Sequence, residues 1–111
     1  MAGSFTWVAN VRVGTIKPYP NALVMTVVHE RDHFTAGEGS TSTSHWNTIV
    51  CYRAPLRDRL QSALAPGDLV SFQGYVRTTS FTDDSNAKRR TVDLVVTAFD
   101  LLHKHIDGPR A

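Results

Sequence analysis

A single helical signature lies in this chain, and its place among runs of alternating residues narrows the fold more than any other feature. Leu56, Leu60 and Leu64 recur four residues apart, Pro55 suits a first helical turn, and Pro66-Gly67-Asp68 stops the helix and turns the chain. On both sides apolar and polar residues alternate, with Val, Thr, Phe and Tyr abundant, which is the pattern of strands buried on one face. Three such runs precede the helix: Phe5 to Val13, Ala22 to Glu30 and His45 to Arg53. Two follow it, Leu69 to Phe81 and Lys88 to Leu102, joined through a hairpin tip at Asp83-Asp84-Ser85-Asn86. Gly14 closes the first run, and Lys17-Pro18-Tyr19-Pro20-Asn21 is expected to break regular pairing. The segment Thr35 to Ser44, rich in Gly, Ser and Thr, reads as a long mobile loop.

Three strands, a helix and two strands is the order of the five-stranded antiparallel Greek-key barrel called the OB-fold. The chain is therefore expected to be mainly β, with its helix between strands three and four. One domain accounts for the length, with the barrel over residues 1–103 and a short tail over 104–111. A core this small makes association of identical chains a natural way to bury more surface. Twelve Lys and Arg against ten Asp and Glu leave a net charge of +2, so the partner has to be read from where the charges sit. The lone cysteine, Cys51, cannot form an intrachain disulfide, and its apolar run from Ile49 to Tyr52 points to a buried thiol in a reducing compartment. No basic-then-apolar leader opens the chain, and no apolar run approaches the ~18 residues of a membrane span. A cytoplasmic protein with no membrane partner is expected.

In the third strand Trp46 and Tyr52 are an even number of residues apart, so both face one way while Ile49 and Cys51 face the other. Two rings on an outer face would be stacking platforms for nucleic-acid bases, each worth ~1–3 kcal/mol and indifferent to sequence. Taken singly, such aromatics are as often core or interface residues. The last two strands add weight to binding: Arg77, Lys88, Arg89 and Arg90 flank Phe81, with Asp83 and Asp84 at the tip. Arg53 beside Tyr52, Arg31 near Phe34, and Arg12 and Lys17 near the first loop extend the interleaving of cations and rings.

These residues resemble a known family. His45-Trp46-Asn47-Thr48-Ile49-Val50-Cys51-Tyr52, then the Leu56 to Leu64 helix, then Pro66-Gly67-Asp68-Leu69-Val70-Ser71-Phe72-Gln73-Gly74-Tyr75-Val76-Arg77-Thr78 and Phe81, look like the bacterial single-stranded DNA-binding protein. The resemblance covers roughly Phe5 to Leu102. It implies sequence-independent binding of single-stranded DNA in replication, recombination or repair, with bases on Trp46, Tyr52, Phe81 and Phe34. It also implies a homo-oligomer, a tetramer ahead of a dimer. Phosphates would meet Arg31, Arg53, Arg77, Lys88, Arg89, Arg90, Arg12 and Lys17, and RNA stays open as a second ligand because stacking surfaces serve both. Family members continue into a Gly, Pro or Gln-rich linker and an acidic tip that recruits other proteins. This sequence ends at His103-Lys104-His105-Ile106-Asp107-Gly108-Pro109-Arg110-Ala111, so recruitment by that route is not expected.

Other chemistries find less support. His29 and His33, and His103 and His105, lack the spacing and partners of a zinc site, so no metal or cofactor is expected. Cys51 has inward parity, which is wrong for a nucleophile, and Asp83 and Asp84 suit a turn better than a nuclease centre. No enzymatic activity and no catalytic residue are expected. The alternative reading is an accessory factor like the primosomal replication protein, acting mainly through protein contacts.

Overall fold

The computed structural model describes residues 3–37 and 39–106. Its elements run β1 (Thr6–Tyr19), β2 (Ala22–Thr35), β3 (Gly39–Cys51), α1 (Ala54–Ala63), β4 (Leu69–Thr82) and β5 (Lys88–His103). The strands close a barrel in the order β1-β2-β3-β5-β4. Every pairing is antiparallel except the closure of β3 on β5, where Ile49 meets Leu94 and Val50 meets Val95 in parallel. That is the mainly β, five-stranded barrel with one helix expected from the order of the runs.

Alternation does the sorting. Val11 and Val13 of β1, Leu23, Met25 and Val27 of β2, Ile49 and Cys51 of β3, and Val70 and Phe72 of β4 all point inward and are buried. Leu56, Leu60 and Leu64 of the helical segment join the same cluster. Pro55 sits in the first turn of α1, where the absent N–H loses no bond. Cys51 is sealed in this core, and burial pushes its thiol pKa above the ordinary value.

Two segments depart from expectation. Lys17 to Tyr19 does not break the pairing: Lys17, Pro18 and Tyr19 stand opposite Val24, Leu23 and Ala22. Pro18 is tolerated because the β1–β4 ladder ends at Arg12, leaving one edge of β1 free beyond it. Likewise most of the segment from Thr35 to Ser44, expected to be a mobile loop, is strand: Gly39 to Ser44 belong to β3. β2 and β3 pair without interruption from Leu23↔Cys51 to Thr35↔Gly39, so Gly39 to Ser44 run back along Glu30 to Thr35 as the outer part of a long two-stranded arm. Both faces of that arm meet solvent, which removes the apolar alternation that marks a half-buried strand. β4 and β5 extend in the same way past the barrel into a finger, paired as far as Thr82↔Lys88.

Gly74 permits the closest approach in the barrel. A Cβ there would overlap the carbonyl of Val95 and touch Trp7, whose Nε1 donates to the carbonyl of Tyr75 at 3.0 Å. Asp68 is fully buried after the helix and ties down the end of β5. Its carboxylate accepts from Lys104 Nζ, the His105 N–H and the Ala65 N–H, each at 2.8 Å. Of the stretch read as a tail over 104–111, residues 107–111 lie outside those described.

Candidate nucleic-acid interface

Five outward positions line up across the barrel, one from each strand. The register places Lys17 beside Val24, Val24 beside Val50, Val50 beside Val95, and Val95 beside Tyr75. Val24 is half-buried and Val50 and Val95 are buried, so the row is an apolar strip largely covered by its neighbours, with a cation at one end and a ring at the other. Trp46 and Tyr52 flank this row on β3 and just beyond it, and both are exposed while Ile49 and Cys51 are buried.

Trp46 is 61% exposed, yet it is not loose. The β-bulge between Val13 and Thr15 brings Gly14 beneath the indole, where a Cβ would stand 2.5 Å from Cζ3. Thr26 holds the bulge, its Oγ1 accepting from the Thr15 N–H at 2.9 Å. The indole is thus supported from below by backbone.

Tyr52 lies against Arg77 of β4. The guanidinium is 4.5 Å from the ring centroid, and its Nη2 donates to the phenol oxygen at 2.8 Å and to Asp93 Oδ2 at 3.1 Å. The Asp93 bond first, with Tyr52 and Tyr75 nearby, pushes the Arg77 pKa up. Beside Tyr52 opens a groove of about 390 Å³ lined by Tyr52, Arg53, Leu56, Tyr75, Val95, Val96 and Thr97.

On the finger, Phe81 stands opposite Arg89 and shares its face with Thr79 and Arg77. Lys88 and Arg90 alternate onto the reverse face, so the basic triplet is divided between two sides. Arg89 is committed: its Nε donates to Asp83 Oδ2 at 2.7 Å. Asp83 also accepts from the Ser85 and Ala87 N–H groups, and with Arg89 as the main cause its pKa is lowered to about 2. Lys88 and Arg90 make no ion pair among the described residues.

A model of the single-strand binding protein family matches residues 11–102. The chain belongs to that family. Its members are DNA-binding proteins rather than enzymes. Solved structures with the same fold include the mitochondrial single-stranded DNA-binding protein Rim1 of S. cerevisiae, at 18% identity and TM-score 0.65 over 94% of this chain and 100% of that one. A Plasmodium falciparum SSB in complex with ssDNA is similar at 17% identity and TM-score 0.66, over 95% and 98%. A small single-stranded DNA-binding protein from Streptomyces coelicolor is similar at 17% identity and TM-score 0.61, over 90% and 95%. No curated protein matches in sequence.

Within this single-strand binding domain the anticipated residues do not all converge. Phe34 is 84% exposed near the end of the arm and shares its face with Glu30 and Asp32. Arg31 alternates to the opposite face with His29 and His33, so its nearness to Phe34 in sequence does not put the two side by side. There the rings of His29 and His45 stack at 5.2 Å, replacing the sequence pairing of His29 with His33. Arg12 donates to the Gly67 carbonyl at 2.9 Å, which makes it a tie between β1 and the turn before β4. Arg53 borders the groove, and Lys17 ends the outward row. Among the described residues no group of three or more His, Cys, Asp or Glu gathers to hold a metal. No described helix is long and apolar enough to cross a membrane.

Two rings on the outer face were missed from sequence. Tyr19 is 53% exposed with the outward parity of Lys17, and Tyr75 is 39% exposed at the end of the valine row. Tyr75 shares parity with Arg77 and Phe81, which is the signal that could have found it.

Proposed function

We propose that this chain binds single-stranded DNA without regard to sequence, keeping it unpaired and protected during replication, recombination or repair. One observation carries the reading: Trp46 and Tyr52 stand exposed on one face of β3, on either side of a register row that runs from Lys17 through the buried Val50 and Val95 to Tyr75. Bases stack on Trp46, Tyr52 and Phe81, with Phe34 a peripheral contact. Lys17, Arg53, Arg77 and the finger cations Lys88, Arg89 and Arg90 meet the phosphates. Arg31, between Glu30 and Asp32 in the acidic arm, and Arg12, tied to Gly67, contribute less. The Plasmodium relative was solved with such a strand bound, and the family membership points the same way. The protein works without catalysis in the cytoplasm, as an assembly of identical chains, a tetramer ahead of a dimer, so that one strand crosses several barrels.

Titration with oligo-dT, oligo-U and duplex at two salt concentrations tests this. Oligo-dT binds and duplex binds far more weakly, because its bases are already stacked on one another. Affinity falls with salt. Equal binding of duplex, or no binding of oligo-dT at low salt, overturns the proposal and favours a protein-interaction module.

A further inference from the structure

Arg77 is the cation nearest the stacking rings, yet its charge is already answered from within the chain. Asp93 stands directly across β5 from it and accepts its Nη2 hydrogen bond at 3.1 Å. The pair is open to solvent, with side chains 43% and 33% exposed, so a ligand can reach it and the bond is a weak one to exchange. Carboxylate and phosphate oxygens meet a guanidinium in the same way. Tyr52 fixes Arg77 independently, through its hydroxyl at 2.8 Å and its ring at 4.5 Å, so the guanidinium keeps its place when Asp93 lets go. The groove alongside is bordered by Tyr52 and Tyr75 and floored by Leu56, Val95 and Val96, all buried. An apolar floor between two rings, with Arg53 at its border and Arg77 against Tyr52, matches the chemistry of one nucleotide: a flat base and an anionic link.

We infer that Asp93 holds, in the free protein, the place a backbone phosphate takes on Arg77 when a strand binds, and that the groove between Tyr52 and Tyr75 receives the adjoining base. The inference rests on the single-stranded DNA binding proposed above. Asp93 then acts as a brake on affinity. It also hides one positive charge from the salt dependence, because an Arg77 that is already neutralised displaces no net counterion from DNA.

Fluorescence anisotropy with labelled oligo-dT over a range of salt tests both halves. Asp93→Asn binds about threefold to fivefold tighter than wild type at low salt. Its log K against log salt slope is steeper by about 0.7, the contribution of one phosphate on a single strand. Tyr75→Ala binds about fivefold more weakly with the slope unchanged, since a ring and no charge is lost. Unchanged affinity and slope in Asp93→Asn, with wild type binding normally, overturn the phosphate exchange and leave the general function standing. Wild-type affinity in Tyr75→Ala overturns the base site. Failure of wild type itself to bind oligo-dT removes the proposed function and this inference together.

Discussion

The indole of Trp46 rests on the backbone of Gly14, two strands away, with room for a hydrogen and none for a methyl group. A Cβ at Gly14 would stand 2.5 Å from Cζ3 of Trp46 and 2.7 Å from Oγ1 of Thr26. The bulge in β1 and the Trp46 indole on β3 are therefore in contact, and the bulge is where substitution should be felt first. Gly14→Ala should leave the fold intact, because the outer side of the indole is open to solvent and the added methyl can push it off its seat, at a stability loss of about 1 kcal/mol. Oligo-dT affinity should fall several-fold, towards that of Trp46→Ala. Thermal melting and anisotropy on the same sample check the two parts separately.

Adjacent finger arginines should differ in their salt signature. Arg89 is neutralised by Asp83 at 2.7 Å, whereas Arg90 has no acidic partner among the described residues. Arg90→Ala should lower the slope of log K against log salt by about 0.7. Arg89→Ala should change it much less. Equal losses in the two variants would show that the Asp83 pair opens whenever DNA binds.

Phe34 and Phe81 resemble each other in sequence as aromatics near hairpin tips, but only Phe34 has an acidic surrounding with no arginine on its face among the described residues. Phe34 shares its face with the carboxylates Glu30 and Asp32, which repel a phosphate, while beside Phe81 the arginines Arg89 and Arg77 balance Asp83 and Asp93. Phe81→Ala should weaken oligo-dT binding by about fivefold to tenfold, a loss within the range of one stacked base. Phe34→Ala should cost less than twofold. Dissociation constants of the two variants, measured side by side, check the order.

Asp68 should give the fold a defined acid limit. Burial acts to raise its pKa, but the hydrogen bonds from Lys104, His105 and Ala65 outweigh it and hold the carboxyl below the ordinary value. The unfolded carboxyl titrates near ~3.9, above the folded one. Its stabilisation is thus complete above the unfolded value and drains away as pH falls through the folded one. Melting temperature should be flat around neutrality and drop below about pH 4. Asp68→Asn should be about 2 kcal/mol less stable at pH 7 and show a shallower acid limb.

Much of this architecture is legible in the residues themselves, and the lapses share a physical cause. Period-two alternation places Ile49 and Cys51 inside and Trp46 and Tyr52 outside, because one face of β3 there is buried and the other is wet. Where a hairpin leaves the barrel that contrast vanishes. Ser40 to Ser44 therefore carries a loop-like composition although every one of its residues is paired with β2. The cations mislead in another way. Lys88, Arg89 and Arg90 look like one patch until strand alternation divides them, and nothing local says that Arg77 meets Asp93 or that Arg12 bonds the Gly67 carbonyl. Those facts depend on register between segments distant in sequence, as does the row that ends at Tyr75.

Tryptophan emission during titration with oligo-dT asks most directly whether bases lie on the Trp46 platform. Trp7 is bonded to the Tyr75 carbonyl and packed against the core, so it supplies a steady background. Wild type should show saturable quenching with oligo-dT and little with duplex, and Trp46→Phe should lose most of that quenching while still melting as one cooperative unit. Emission that stays unchanged in wild type on saturation with DNA, or quenching that survives in Trp46→Phe, would contradict the account.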